Sequence, residues 1–417
     1  MTPAPLRAVL LLGVAVLRAG GRDQAARGRN AEALEQLAKA RALDPRSAPC
    51  AMRLGLALMG AGRAKEAEPH FRAAVALNEA YPEGWDNLAY CLKVQDRLND
   101  AVPCHERAVA LKPDFAVGWY NFGLTLSLLG RPADALACHE RALGAKPDYA
   151  KGHFGRAQAL QQANRLEEAI AADDRYLALC PEHDVALSYR LFALNNLEQL
   201  SPAEVFAAHA AYGRRFNAPA TPAAVVDPDP ERRLRVAILS PDLRYHSCAF
   251  FLEPLLAGLD PAKFELYLYH DHFREDEVSA RLSGLAAVWR NFVGQPNSVI
   301  EPVVRADRPD ILVDLSGHTG MLSRLPLFAR RVAPVQVTYL GYPNTTGLTE
   351  MDYRFTDAVA DPVGEADALA TERLVRFAPT AWTYRAPAFA PPVQPPPAAT
   401  GGPVTFGCFN NLAKITD

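Results

Sequence analysis

Paired cysteines are missing from this chain. Its seven cysteines (Cys50, Cys91, Cys104, Cys138, Cys180, Cys248 and Cys408) stand singly. An odd count with no Cys-x-x-Cys suits a reducing compartment better than a disulfide framework. Long apolar runs are missing too. The candidate Val9–Leu17, after Arg7, is too short to span a bilayer. It has the look of a signal-peptide core, yet it runs into Arg18 and Gly20–Gly21 with no clean Ala-x-Ala site. A degraded first helix over residues 1–27 is therefore expected, and a cytoplasmic protein with no membrane contact. Neither charge sign dominates: 44 Lys and Arg face 47 Asp and Glu, net −3, which argues against nucleic-acid phosphates as the main partner. No P-loop, no Gly-x-Gly-x-x-Gly after a strand and no Gly-x-Ser-x-Gly elbow occurs, which disfavours an NTPase, a dinucleotide enzyme and a triad hydrolase. His246, His270, His272 and His318 show no helical i, i+4 pairing, so no metal is expected.

What is present first is a repeat. Arg29, Arg63, Arg97, Arg131 and Arg165 are 34 apart. Gly28, Gly62, Asp96, Gly130 or Asn164 precedes each, and Ala33, Ala67, Ala101, Ala135 or Ala169 follows four positions on. Residues tolerant of left-handed backbone end one helix. The small Ala lets the next approach closely, and Pro45, Pro113, Pro147 and Pro181, with Glu79 filling the gap, mark the end of the period. About five helix pairs over 28–183 are predicted, and the 34-residue period resembles tetratricopeptide repeats, an α-solenoid with a concave groove. Trp85 and Trp119, with His153 next in step, and Tyr81, Phe115 and Tyr149 read as packing residues. Asn87 and Asn121, also 34 apart, are candidates to hydrogen-bond an extended protein acceptor in that groove, since an amide both donates and accepts.

A helical connector follows over 184–216. Ser201, Pro202 and Glu204 form a capping box for a helix to Phe216, with His209 and Tyr212 on one packed face. Residues 217–231 read as a linker. From 232 to 385 strands and helices alternate: strands at Leu234–Leu239, Phe264–His270, Ile311–Leu315, Val335–Leu340 and Tyr353–Thr356, helices at Arg274–Leu285, Ser298–Ala306 and Leu322–Arg330. That alternation predicts a parallel sheet covered by helices. Residues 386–402 are a Pro-rich linker, and 403–417, with a strand at Val404–Phe409, read as the start of a further α/β half that is truncated. The fold class is thus α plus α/β.

Polar clusters sit at four strand ends: Ser240–His246, Asp314–Thr319, Leu340–Gly347 and Phe409–Ile415. Ligands collect at the carboxyl ends of strands in such sheets. A His with an ordinary pKa near 6.5 in the first cluster can accept a hydroxyl proton or support a diphosphate.

Taken in order, RVAILSPDLRYHS, DLSGHT, APVQVTYLGYPNTTG, MDYRFTD and FGCFNNLAKI, behind the repeats, resemble the protein O-linked N-acetylglucosamine transferase family and its bacterial relatives. The resemblance implies a GT-B glycosyltransferase of two Rossmann-like halves, of which this chain carries the first. It implies inverting transfer without metal or other cofactor, from UDP-N-acetylglucosamine to Ser or Thr hydroxyls of proteins. Asp242 and His246 match the segment near the acceptor hydroxyl and donor phosphate. Leu340, Gly341 and Pro343 match the sugar-cradling loop, with His318 on the neighbouring segment grouped among the substrate-binding residues. Lys414 matches the lysine facing the departing diphosphate, and Asn411 stands where many relatives have Gln. Arg324 matches a basic residue after Gly-His-Thr. A further family histidine falls at Ala186, so that role has no carrier here. Two other readings stay open: fucosyl transfer from GDP-fucose, and a non-catalytic repeat scaffold.

Overall fold

The computed structural model describes residues 24–216, 229, 231–319, 323–385 and 392, with backbone alone for 24–33. The linkers expected at 217–231 and 386–402 fall almost wholly outside the described residues. So do the helix expected over 1–27, except its last four residues, and the strand expected at Val404–Phe409. Two compact units divide at Pro181–Glu182. Among the described residues no helix is long and apolar enough to cross a membrane.

The first unit is a run of helices, each packed against the next: α1 (Gln24–Leu43), α2 (Ala48–Gly60), α3 (Ala64–Leu77), α4 (Pro82–Val94), α5 (Leu98–Leu111), α6 (Ala116–Leu128), α7 (Pro132–Ala145), α8 (Ala150–Gln162) and α9 (Leu166–Leu179). Its period has a physical source at each fixed position. Gly62, Asp96, Gly130 and Asn164 all have positive φ, between 57° and 75°. That bend lets Arg63, Arg97, Arg131 and Arg165 donate their backbone N–H to the carbonyl five residues back, at 2.9–3.0 Å. The same arginines then bond an acid three residues on: Glu66, Asp100, Asp134 and Glu168. Ala67, Ala101, Ala135 and Ala169 are fully buried. Trp85 and Trp119 donate their indole N–H to the carbonyl six residues back, at 2.9 Å, and His153 bonds Pro147 in the same way at 3.0 Å.

One position drifts along the array. Phe71, His105, His139 and Asp173 are 34 apart, and each is fully buried. Phe71 lies over Gly55, where a Cβ would come within 2.7 Å of its ring. His105 has polar neighbours instead: Nε2 bonds the Thr125 hydroxyl at 3.1 Å, and Nδ1 lies 3.2 Å from Asp86 Oδ1 without hydrogen-bond geometry. His139 lies between Gly123 and Gly155, and neither of its ring nitrogens has a hydrogen-bond partner among the described residues. Burial alone drives its pKa down to about 4, because the cation would lose its water without compensation.

The second unit begins with α10 (Asp184–Leu194) and α11 (Pro202–Phe216). The expected capping box starts α11: Ser201 N–H donates to Glu204 at 2.8 Å, and Glu204 N–H donates to Ser201 Oγ at 3.3 Å. Seven strands follow, β1 (Leu234–Ser240), β2 (Phe264–His270), β3 (Val288–Asn291), β4 (Ile311–Asp314), β5 (Val335–Tyr339), β6 (Tyr353–Asp357) and β7 (Arg373–Phe377). They make one sheet in the order β3-β2-β1-β4-β5-β6-β7, parallel throughout. Helices α12 (Ser247–Ala257), α13 (Glu277–Leu285), α14 (Asn297–Asp307) and α15 (Leu325–Phe328) cross between strands. Ile238, Leu252, Leu268, Leu282, Val313 and Val337 form its core.

Five elements differ from the sequence reading. The helix expected from Arg274 begins at Glu277, because Asp276 caps it, accepting from Val278 and Ser279 N–H. The helix expected over Leu322–Arg330 is the single turn α15, ended before Arg331, whose φ is +46°. Strands β3 and β7 and helix α12 were not anticipated.

The unpaired His139 predicts an acid-sensitive array. The unfolded imidazole takes up its proton near pH 6.5 and the folded one only near 4, so the stability is full above 6.5 and lost as pH falls towards 4. At pH 5 the loss is about 2 kcal/mol from this residue. His139→Phe, which copies Phe71, is expected to flatten that part of the urea-denaturation profile between pH 7 and 5. An unchanged acid slope would contradict this origin.

Candidate active site

Parallel pairing puts every strand's carboxyl end on one edge of the sheet. β1 pairs with β4, and β4 with β5, so three of the polar clusters are neighbours there. Side chains and backbone join them. Ser240 Oγ and Ser316 Oγ are 3.5 Å apart. A Cβ on Gly341 would lie 1.8 Å from Leu315 O, and one on Gly317 2.5 Å from Tyr342 Cβ. Only the glycine at 341 lets the loop after β5 lie against the loop after β4. Leu340 next to it has φ +74°, a conformation that costs a branched residue on the order of 1–3 kcal/mol.

Asp314 folds the middle loop. Its carboxylate accepts from Ser316 N–H (3.1 Å), Gly317 N–H (2.9 Å) and the Thr338 hydroxyl (2.9 Å). Full burial outweighs those donors and raises its pKa to about 6.

The first cluster holds the exposed chemistry. Asp242, tethered by its N–H to Ser240 Oγ at 3.0 Å, is nearly buried. His246 caps α12: its Nδ1 accepts from Cys248 N–H at 3.3 Å and lies 3.5 Å from Asp242 Oδ1. Its side chain is 34% exposed, and Arg244 lies 4.0 Å from the same carboxylate oxygen. Asp242, His246 and Cys248 bring one ligand atom each within 4.8 Å of one another. Of the cradle candidates, Leu340 and Gly341 are half-buried and Pro343 is exposed, its carbonyl accepting from Arg354 at 2.9 Å.

His318 behaves differently from its grouping with the substrate-binding residues. It is buried, and both ring nitrogens are used inside the protein. Thr346 O can only accept, so Nε2 donates to it at 2.9 Å, and Nδ1 therefore accepts the Ser188 hydroxyl at 3.0 Å. Burial and neighbouring His209 push its pKa down to about 3. His318 shapes the loop and is not presented to a ligand. Arg324 is also spent internally: it grips Asp271 with two bonds, at 2.6 and 2.9 Å, and reaches Gln295 O and Asn297. In the array, Asn87 donates to Glu83 O at 2.6 Å and Asn121 to Asp86 at 2.9 Å. One hydrogen of each amide is thus used within the repeats, and Asn121 supports the Asp86–His105 pair. Ala186, near which the position of a further family histidine falls, is fully buried. Lys414 and Asn411 lie outside the described residues.

The sequence missed how firmly α10 and α11 hold the loop after β5. Tyr342 accepts from Asn195 at 2.6 Å and donates to His209 Nε2 at 2.6 Å, while His209 Nδ1 donates to Val205 O at 2.7 Å. Burial lowers the His209 pKa to about 4, which keeps Nε2 an acceptor at neutral pH. Asn344 donates to Asn195 at 2.8 Å. Glu372 receives Thr345 Oγ1 at 2.5 Å, Thr346 N–H at 2.7 Å and the Thr346 hydroxyl. Backbones touch directly: a Cβ on Gly213 would lie 1.7 Å from Gly347 O, and one on Gly347, at φ +77°, 1.9 Å from His209 O. The shared face of His209 and Tyr212 was the only sequence signal for this.

Removing the central hydroxyl tests that clamp. Tyr342→Phe leaves His209 Nε2 and Asn195 Nδ2 without their partner in a buried site, and is expected to cost the second unit about 1–3 kcal/mol in urea unfolding. A change within about 0.3 kcal/mol would mean that the bonds are not formed.

Comparison with known proteins agrees with this geometry. Residues 222–383 match the model for glycosyl transferase family 41, and residues 18–84 and 120–184 that for a tetratricopeptide repeat. The chain is 40% identical over 233 residues to a Petunia hybrida protein named probable UDP-N-acetylglucosamine–peptide N-acetylglucosaminyltransferase SPINDLY, covering 54% of this chain and 25% of that one. The Arabidopsis thaliana protein of the same name gives the same identity and coverage. The chain thus spans about a quarter of the length of these relatives. Among solved structures, a mutant of the Thermobaculum terrenum O-GlcNAc transferase aligns with TM-score 0.67 at 33% identity, over 75% of this chain and 59% of that one. Residues 222–383 are thus similar to glycosyl transferase family 41, in one polypeptide with segments similar to tetratricopeptide repeats.

Proposed function

We propose that the protein is an inverting glycosyltransferase that moves N-acetylglucosamine from UDP-N-acetylglucosamine to Ser or Thr hydroxyls of proteins, with the repeats binding the protein acceptor. The observation that carries this is the meeting of three polar clusters, Ser240–His246, Asp314–Thr319 and Leu340–Gly347, at one edge of a parallel sheet. Such an edge is where a doubly wound sheet receives a nucleotide-linked ligand. The named relatives favour the N-acetylglucosamine donor over GDP-fucose.

The reaction is one in-line displacement. The acceptor oxygen bonds to the anomeric carbon, the bond to the diphosphate oxygen breaks, and the diphosphate keeps the electron pair. The hydroxyl proton goes to the Asp242–His246 pair or to a water held there. Nδ1 of His246, which accepts from Cys248 N–H, and the Asp242 carboxylate 3.5 Å away are the two proton acceptors the pair offers. The Leu340–Pro343 loop, fixed against the neighbouring loop by Gly341, cradles the sugar. Lys414 is assigned to the leaving diphosphate, where a cation offsets growing charge, and Asn411 to the nucleotide. No metal or other cofactor is needed in this scheme. A soluble, cytoplasmic setting suits it, since protein hydroxyls and nucleotide sugars meet there.

The test is direct. The full gene product is incubated with UDP-N-acetylglucosamine or GDP-fucose and a cell lysate, and modified peptides are identified by mass spectrometry. N-acetylhexosamine on Ser or Thr is expected from the first donor, with His246→Ala slower by about 10²-fold or more. Transfer from GDP-fucose alone would overturn the donor assignment, and no transfer from either donor would leave the repeat-scaffold reading.

A further inference from the structure

We infer that Asp242, His246 and Cys248 form a binding site for a thiophilic divalent cation of the zinc type, and that occupancy shuts the candidate active site. The metal site itself rests on geometry alone; the shut-off rests on the transferase reading above.

The donor set is chemically matched. A carboxylate, an imidazole and a thiol are the three side-chain types that zinc prefers, and three protein ligands plus a water complete its tetrahedron. The spacing also fits. Zinc bonds to nitrogen and oxygen of about 2.1 Å at a tetrahedral angle separate the two donors by about 3.4 Å. His246 Nδ1 and Asp242 Oδ1 are 3.5 Å apart, too far for a good hydrogen bond and right for a shared ion. The Cys248 sulfur lies within 4.8 Å of both ligand atoms, so a small side-chain rotation completes the set. Among the described residues this is the one such group of three.

The backbone holds these residues in place beforehand. Asp242 is tied to Ser240 Oγ, and His246 and Cys248 stand two residues apart at the start of α12. Binding displaces the 3.3 Å bond from Cys248 N–H to His246 Nδ1. It also displaces the thiol proton, which passes to solvent as the sulfur bonds to the ion. Arg244, 4.0 Å from Asp242 Oδ1, is the resident positive charge that the ion must compete with. A cation shared by Nδ1 and the carboxylate occupies both proton acceptors of the pair. The same atoms therefore cannot bind zinc and support proton transfer together.

The probe is Co²⁺, which reports thiolate ligation by a near-ultraviolet charge-transfer absorption, with Zn²⁺ as competitor. The chain is expected to bind one Co²⁺ with that absorption, and one equivalent of Zn²⁺ is expected to abolish it. Cys248→Ala should lose the absorption and weaken binding about tenfold or more, whereas Cys180→Ala, at a half-buried thiol elsewhere, should keep both. Arg244→Gln should tighten binding, because the competing charge is gone. Circular dichroism of each variant separates loss of ligation from loss of fold, and Cys248→Ser repeats the test if the alanine variant unfolds. No thiolate absorption in the parent chain, or one that survives in folded Cys248 variants, would overturn the site. In the transfer assay, Zn²⁺ should inhibit the parent enzyme at least tenfold more than the Cys248→Ala variant. Equal inhibition overturns the shut-off, and absence of any transfer overturns the transferase reading while leaving the spectroscopic result to judge the site.

Discussion

The close approach of two backbones, α11 at Gly213 and the loop after β5 at Gly347, is the contact on which the candidate site depends. No side chain fits between them: a Cβ at either glycine would lie under 2 Å from a carbonyl oxygen. Because the helix lies this close, His209 and Tyr342 can meet, and His318 can reach Ser188 and Thr346 at once. A buried polar cluster of this kind stabilises only when every group is satisfied. Here the neutral imidazoles satisfy it, since each has one donor and one acceptor nitrogen facing the right partner. The connector helices are therefore part of the sheet unit.

That contact fixes the loops from behind, leaving their front to a ligand. The loop after β5 is clamped at Tyr342 by Asn195 and His209, at Thr345 and Thr346 by Glu372, and at Pro343 by Arg354. Leu340 is held in left-handed backbone between these anchors. Strain of this kind persists only where the surroundings over-determine it. The Asp242–His246 tip is less restrained, with a half-exposed imidazole and a 3.5 Å gap to its carboxylate. In the proposed reaction the rigid loop would hold the donor, and the less restrained Asp242–His246 pair would meet the acceptor.

Much of the architecture was legible because it follows local rules. The left-handed residue before each repeat arginine, the buried alanine four positions on and the Ser201 capping box are encoded within a few residues. Strand ends came out within a residue or two where the run was aliphatic. β3 and β7 were missed because Val288–Asn291 and Arg373–Phe377 are short outer strands with only partial burial and polar residues inside the run. The α12 helix was missed because Ser247–Ala257 is apolar on nearly every side and gives little helical periodicity. The gathering of Asp242, His318 and Gly341 at one edge was legible from strand alternation. The role of His318 was not: it is set by Ser188, which lies 130 residues away in sequence. The tie from Asn121 was hidden for a similar reason, since its partner Asp86 belongs to the preceding repeat.

Native-state amide exchange tests the central contact most directly. If α11 is integral to the sheet unit, the amides of Val205–Phe216 and those of Thr346 and Leu348 open together with β1 and β4, at one free energy and with one denaturant dependence. If α11 exchanges at markedly lower free energy while β1 and β4 stay protected, the connector is merely tethered, and the loop after β5 owes its shape to the sheet alone.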